Sequence, residues 1–157
     1  MGTDNIAIVR RYIEEIWNKG DFSLLGELVS DKFVGNHPIM GETRGMDSVK
    51  QQVQTFRTAF PDLRMTIDDI GMAGERVFMR WTGRGTHKGM FMGISPTNNR
   101  GEVHGMSIDT IQNGKIIEHH ESYDTLTMFQ LMGVVPPNDQ LMKGQMGAGA
   151  QQQQRRV

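Results

Sequence analysis

The hydrophobic pattern of this chain changes period once, at Pro61. A helix brings residues i, i+3 and i+4 onto one face, whereas a strand brings i and i+2 together, so each period dictates its own element. Before Pro61, Ile6, Val9, Ile13 and Ile16 beside Trp17 predict an amphipathic helix from Thr3 to Asn18, with Thr3 or Asp4 as N-cap and Lys19-Gly20 as its stop. Asp21 suits the N-cap of a short second helix, Phe22 to Val29. Asp31 to Met40, which holds Asn36-His37-Pro38, reads as an irregular entry segment, and Gly41 to Gly45 as a loop. A third helix, Asp47 to Phe60, carries Val49, Val53, Phe56 and Phe60 on one stripe, and Pro61 ends it.

Beyond Pro61, alternating and β-branched residues predict strands at Leu63 to Met72, Arg76 to His87, Glu102 to Gln112 and Lys115 to Tyr123. The last two are joined by Asn113-Gly114, the strongest short hairpin signal, because both turn residues must accept positive φ. A short helix, Thr125 to Leu131, closes the pattern. The expected class is α+β: a curved antiparallel sheet covered by three N-terminal helices, with a short C-terminal helix and a pocket between the layers. After Pro136-Pro137 the composition drifts to glycine and the run Gln151 to Gln154, with too little apolar content to offset ordering entropy. Residues 1–137 are thus expected to form a single domain and 138–157 a flexible tail.

The chain has no cysteine, which removes thiolate nucleophiles, disulfides and thiolate metal sites together. A net charge of -1 and a pI near 6.5 give no footprint for nucleic acid. No apolar run approaches the roughly 20 residues that cross a bilayer, and no secretory leader pattern is present, so a soluble, cytoplasmic protein without membrane partners is expected. Partners are expected to be small and neutral.

The chemistry concentrates in Lys115 to Asp124, where Glu118, His119, His120, Glu121 and Asp124 cluster. Strand parity puts Glu118, His120, Ser122 and Asp124 on one face and His119, Glu121 and Tyr123 on the other. The first row is expected to point inward and His119 and Glu121 outward. Asp124 precedes the last helix and equally suits its N-cap. His37 either lines the pocket mouth or belongs to turn chemistry beside Pro38. His87 reads as a turn or strand-end residue. The five histidines show no convincing spacing for a metal trio, so no metal is expected. Gly83, Gly85, Gly89 and Gly93 lack the setting of a phosphate loop. Many of the 13 methionines fall in or near the sheet, either as core filling or as an adaptable pocket lining.

Four segments, IVRRYIEEIWNKGD, GMDSVKQQVQTFRTAFPDL, GTHKGMFMGISPTNNR and NGKIIEHHESYDTLTMFQLMG, together resemble the SnoaL-like polyketide cyclase family of the nuclear-transport-factor-2-like, or cone, fold. The resemblance implies a conical α+β barrel with a deep apolar pocket, no metal or organic cofactor, and assembly through the outer sheet face as a homodimer or homotetramer. It also implies an Asp at the end of the last long strand, matched here by Asp124, as acid and base in an intramolecular aldol closure. On the preceding strand, where such cyclases carry Gln and His, this chain has Gly105 and Ser107. His120 shares the face of Asp124 and is the expected supporting catalytic residue; His37, Ser107, His104 and Trp81 are the candidate substrate-binding residues, with His104 on the opposite face unless a bulge intervenes. The expected ligand is a small apolar carbonyl compound. Isomerisation of such a carbonyl compound is the same acid–base reading, and two alternatives stand beside it: hydration or dehydration, including epoxide opening, through Asp109, Asp124 and Arg80, and a non-catalytic ligand-binding module.

Overall fold

Pro61 follows the last of the N-terminal helices, but strands lie on both sides of it. The computed structural model describes residues 2–144. The first helix, α1 (Gly2–Arg11), runs directly into a π-helical segment (Tyr12–Asn18), so that two helical geometries span the predicted region. It starts at Gly2, ahead of the expected cap at Thr3 or Asp4, whose side chains lie outside the described ones. Its buried stripe is Val9, Tyr12, Ile13 and Ile16. Asp21 caps the next turn as expected, its carboxylate accepting the Ser23 N–H at 3.1 Å, but that turn is a 3-10 helix (Phe22–Leu24) followed by a short α2 (Leu25–Leu28).

Two strands replace the irregular segment and the loop expected next: β1 (Val29–His37) and β2 (Gly41–Arg44). Alternation in β1 is visible only as burial of Val29, Phe33, Gly35 and His37, and too few of these are apolar to mark a strand by composition. The helix α3 (Met46–Ala59) buries Val49, Gln52 and Val53. The remaining strands, β3 (Arg64–Ala73), β4 (Arg76–Thr86), β5 (Arg100–Gln112) and β6 (Lys115–Tyr123), fall close to their predicted bounds. Asn113 and Gly114 take φ of 51° and 75°, the left-handed pair that a two-residue hairpin requires.

The six strands form one sheet in the order β2-β1-β6-β5-β4-β3. The sheet is mixed rather than antiparallel, because β1 and β6 pair in parallel. The physical reason is topological: β1 returns to the sheet beside a strand that lies almost a domain length later, and a parallel partner always needs such a crossover. α1 with its π-helical extension and α3 cover one face, their apolar stripes packing with Phe33, Val77, Met79, Trp81, Ile111 and Ile116 of the strands. A smaller core joins Phe60, Phe91 and Ala59 to Met128 and Met132 at the C-terminal helix α4 (Thr125–Leu131).

Residues 138–144 are helical, although exposed, where a flexible tail was expected; the rest of that expectation falls on 145–157, outside the described residues. Asp124 is the N-cap of α4, its carboxylate accepting the Thr127 N–H at 3.0 Å and the Thr127 hydroxyl at 2.6 Å. Asp124→Ala is expected to lower global stability by about 0.5–2 kcal/mol through loss of this cap, read as a shift in the urea midpoint at unchanged m-value.

Candidate active site

One residue of β6 decides which side chains meet the cavity. In the β5–β6 ladder Ile111 pairs with Ile116, but Thr110 pairs with Glu118, so Ile117 has no partner and forms a β-bulge. Ile116 points into the core, 1% exposed. Uninterrupted alternation from Ile116 would carry Glu118, His120 and Ser122 inward, which is the expected row. The bulge reverses the parity, and His119, Glu121 and Tyr123 point inward instead.

Opposite them, unbroken alternation on β5 presents Gly105, Ser107 and Asp109, paired with Tyr123, Glu121 and His119 respectively. On the other side of β6, Gly35 of β1 lies beside His119 and Thr43 of β2 beside Gly35. Thr43, Gly35, His119 and Asp109 thus form one row across four strands. Gly35 is needed there, since a Cβ would sit 2.5 Å from His37 Nε2 and 2.9 Å from Thr43 Oγ1.

His119 is the hub. Its Nδ1 lies 2.7 Å from Asp109 Oδ1 and its Nε2 3.3 Å from Glu121 Oε2. The other Glu121 oxygen is 2.8 Å from His37 Nδ1 and accepts the Gln52 side-chain amide at 3.4 Å, while His37 Nε2 lies 3.1 Å from Thr43 Oγ1. Burial by itself would push the His119 imidazolium down, but the charges and hydrogen bonds of Asp109 and Glu121 outweigh it and raise its pKa to about 10. Burial would likewise raise Glu121, yet the hydrogen bonds of His119 and His37 dominate and lower it to about 2. His119 is therefore a cation and Glu121 an anion over the ordinary pH range. Two buried polar atoms of this wall have no partner, Ser107 Oγ and Asp109 Oδ2.

His119, Glu121, Ser107 and Asp109 line one cavity. The remaining walls are mostly apolar: Tyr12, Ile13 and Trp17 of the π-helical segment, Phe56 and Phe60, and Trp81 with Tyr123 at ring centroids 6.0 Å apart. The indole of Trp81 lies flat over Gly105, where a Cβ would meet Trp81 Cζ2 at 2.3 Å. Gly105 therefore stands where it does because a ring occupies the space of its side chain.

The expected site residues separate cleanly. Ser107 and Trp81 line the cavity, and His37 sits behind Glu121, 8% exposed, rather than at the mouth or in a turn. His120 lies on the outer face paired with Glu118, and His104 does too, bonded to the Thr82 hydroxyl at 2.9 Å, because no bulge reverses β5 at that point. Asp124 is exposed, absent from the cavity wall, and held below the usual carboxylate range by the Thr127 hydroxyl and N–H. Arg80 is also on the outer face, near Asp68, so Asp109, Asp124 and Arg80 do not converge. His87 is fully buried, with Nδ1 3.1 Å from Thr97 Oγ1. The residues missed are Glu121, His119 and Gln52; a polar Gln on the buried stripe of α3, between Val49 and Val53, was the available signal for the last.

A curved, unclosed sheet with helices on one face and a cavity between them is the cone architecture. The profile of the SnoaL-like polyketide cyclases matches residues 7–131, and the chain belongs to that family. Solved structures agree on the fold. A protein of Jannaschia sp. CCS1 assigned as a SnoaL-like polyketide cyclase superposes with a TM-score of 0.79 at 21% identity, covering 87% of this chain and 95% of that one. AclR of Streptomyces galilaeus, assigned as a hydroxylase, gives 0.77 at 25% identity over 100% and 99%. IdmH of Streptomyces antibioticus, assigned as a polyketide cyclase, gives 0.71 at 29% identity over 83% and 99%. No curated protein matches the sequence. Among the described residues no helix is long and apolar enough to cross a membrane.

Gly105→Ala is expected to displace the Trp81 ring and to lower stability by about 1–3 kcal/mol, read from denaturation together with a change in indole fluorescence. The His119 and Glu121 shifts also set a pH profile. His119, raised from 6.5 to about 10, contributes stability that is complete below 6.5 and lost as pH rises towards 10. Glu121, lowered from 4.5 to about 2, contributes stability that is complete above 4.5 and lost as pH falls towards 2. Unfolding free energy of chelator-treated protein is expected to be greatest between these limits and to fall on both sides, measured by urea titration across pH.

Proposed function

We propose that this protein is an acid–base enzyme that removes a proton from carbon beside a carbonyl in a small, largely apolar polyketide-like substrate, and closes a ring by intramolecular aldol addition. The observation that carries the reading is the placement of Glu121, His119 and Ser107 together on the wall of an otherwise apolar cavity. The catalytic role expected of Asp124 and His120 is assigned here to Glu121 and His119, because a base must reach the substrate before its basicity matters.

The ion pair between His119 and Glu121 is the working part. At 3.3 Å it restrains Glu121 as a base. A substrate carbonyl oxygen that takes over the His119 Nε2–H is polarised by a cation and, in the same exchange, frees the Glu121 oxygen. Glu121 then takes the proton from carbon and the enolate forms against His119. The new carbon–carbon bond places negative charge on the attacked oxygen, and protonated Glu121 returns the proton there. Ser107 Oγ, lacking an internal partner, donates to a second substrate oxygen. Asp109 positions His119 by accepting its Nδ1–H. Each such proton transfer is worth about 10² to 10⁴ in rate, and folding of the substrate by the apolar walls adds an orientation term.

The test is catalysed deuterium exchange at the acidic carbon of a cyclic 1,3-diketone in D₂O, followed by NMR, which needs no knowledge of the natural substrate. Wild-type protein is expected to accelerate exchange; Glu121→Gln is expected to lose at least about 10²-fold while remaining folded. Exchange by Glu121→Gln at the wild-type rate, in a protein with native circular dichroism, would remove Glu121 as the base.

A further inference from the structure

We propose that His37 Nδ1, His119 Nε2 and a Glu121 carboxylate oxygen together form a binding site for one divalent transition-metal ion of the zinc type. Donor atoms from the three residues lie within 4.8 Å of one another. His37 Nδ1 lies 2.8 Å from Glu121 Oε1 and His119 Nε2 3.3 Å from Glu121 Oε2, so the two imidazoles face opposite oxygens of one carboxylate. Tetrahedral zinc, with bonds near 2.0–2.1 Å, holds neighbouring nitrogen and oxygen donors roughly 3.3 Å apart, the scale of both separations.

The surroundings are those that ligating imidazoles require. Each ring is held through its other nitrogen, His119 by the Asp109 carboxylate at 2.7 Å, which fixes its tautomer, and His37 by the Thr43 hydroxyl at 3.1 Å, which orients it. The Gln52 side-chain nitrogen lies 3.0 Å from His37 Nδ1 and 3.4 Å from Glu121 Oε1, and gives up both contacts when an ion takes those donors. Glu121 and His119 line the cavity, so a fourth coordination position opens towards it, the arrangement of a zinc ion with three protein ligands and room for one exogenous oxygen. Two imidazoles and one carboxylate are a donor set that a zinc-type dication takes. The hydrogen-bonded and metal-bound forms are therefore alternative occupants of the same donors, and the site does not depend on the reaction proposed above.

Cobalt(II) added to chelator-treated full-length protein serves as the probe, with zinc as competitor. The expected result is saturable, stoichiometric development of the visible bands of tetrahedral cobalt, reversed by zinc. In the long-range ¹H–¹⁵N spectrum the ring signals of His37 and His119 are expected to vanish, while those of His87, His104 and His120 persist. His37→Ala and Glu121→Gln are each expected to abolish saturation, Asp109→Asn to weaken it about 10- to 100-fold, and His120→Ala to leave it unchanged. Absence of saturable bands, loss of the His120 or His104 signals in place of the named pair, or binding abolished by His120→Ala would each overturn the site. Cobalt binding without diketone exchange, or exchange in chelator without cobalt binding, separates this inference from the proton-transfer reading.

Discussion

Everything at the cavity wall follows from the unpaired Ile117. Were β6 to run in uninterrupted register with β5, Ile116 would still anchor the core, but the side chains beyond it would be reversed: Glu118, His120 and Ser122 inside, His119 and Glu121 in solvent. The inserted residue keeps the apolar anchor at the start of the strand and changes the identity of the row beyond it. A second bulge, at Asp68 in β3, leaves that residue unpaired and its carboxylate bonded to the Thr82 hydroxyl on the outer face. Bulges increase local twist, so the same irregularities that select side chains also help the sheet wrap around its contents.

The second constraint is electrostatic. Two carboxylates in a dry wall are tolerable only because an imidazolium lies between them, and the imidazolium is tolerable only because the carboxylates flank it. The glycines at positions 35 and 105 serve the same end from the steric side: one leaves room for the His37–Thr43 contact, the other for an indole plate. Polar chemistry is thereby confined to one end of a chamber whose other walls are aromatic and aliphatic.

Most of the architecture was legible. The period change at Pro61, the stripe of Val49 and Val53, the Asn113-Gly114 turn and the caps at Asp21 and Asp124 are local signals, each resting on a residue and its immediate neighbours. What could not be read was non-local. β1 and β2 carry weak patterns because their stability comes from β6, far along the chain, and the parallel pairing leaves no local trace. The site suffered more than the fold for this reason. Parity counting presumes unbroken alternation, and nothing in Lys115 to Tyr123 marks Ile117 as the residue left over. His37 and Glu121 became neighbours only through that pairing, so a cluster that looks scattered in sequence is contiguous in space.

The parallel seam between β1 and β6 also sets the order of events in biogenesis. His37 and Glu121 are 84 residues apart. During synthesis the ribosome has made α1, α2, α3 and five of the six strands before the donor row that includes Glu121 exists. Closing so long a loop cannot begin until β6 has been made. The β5–β6 hairpin can by then set His119 beside Asp109 and Tyr123 beside Gly105, but until the seam with β1 zips Glu121 has no His37 to meet; the nascent chain carries the inner donors of the wall without their outer imidazole.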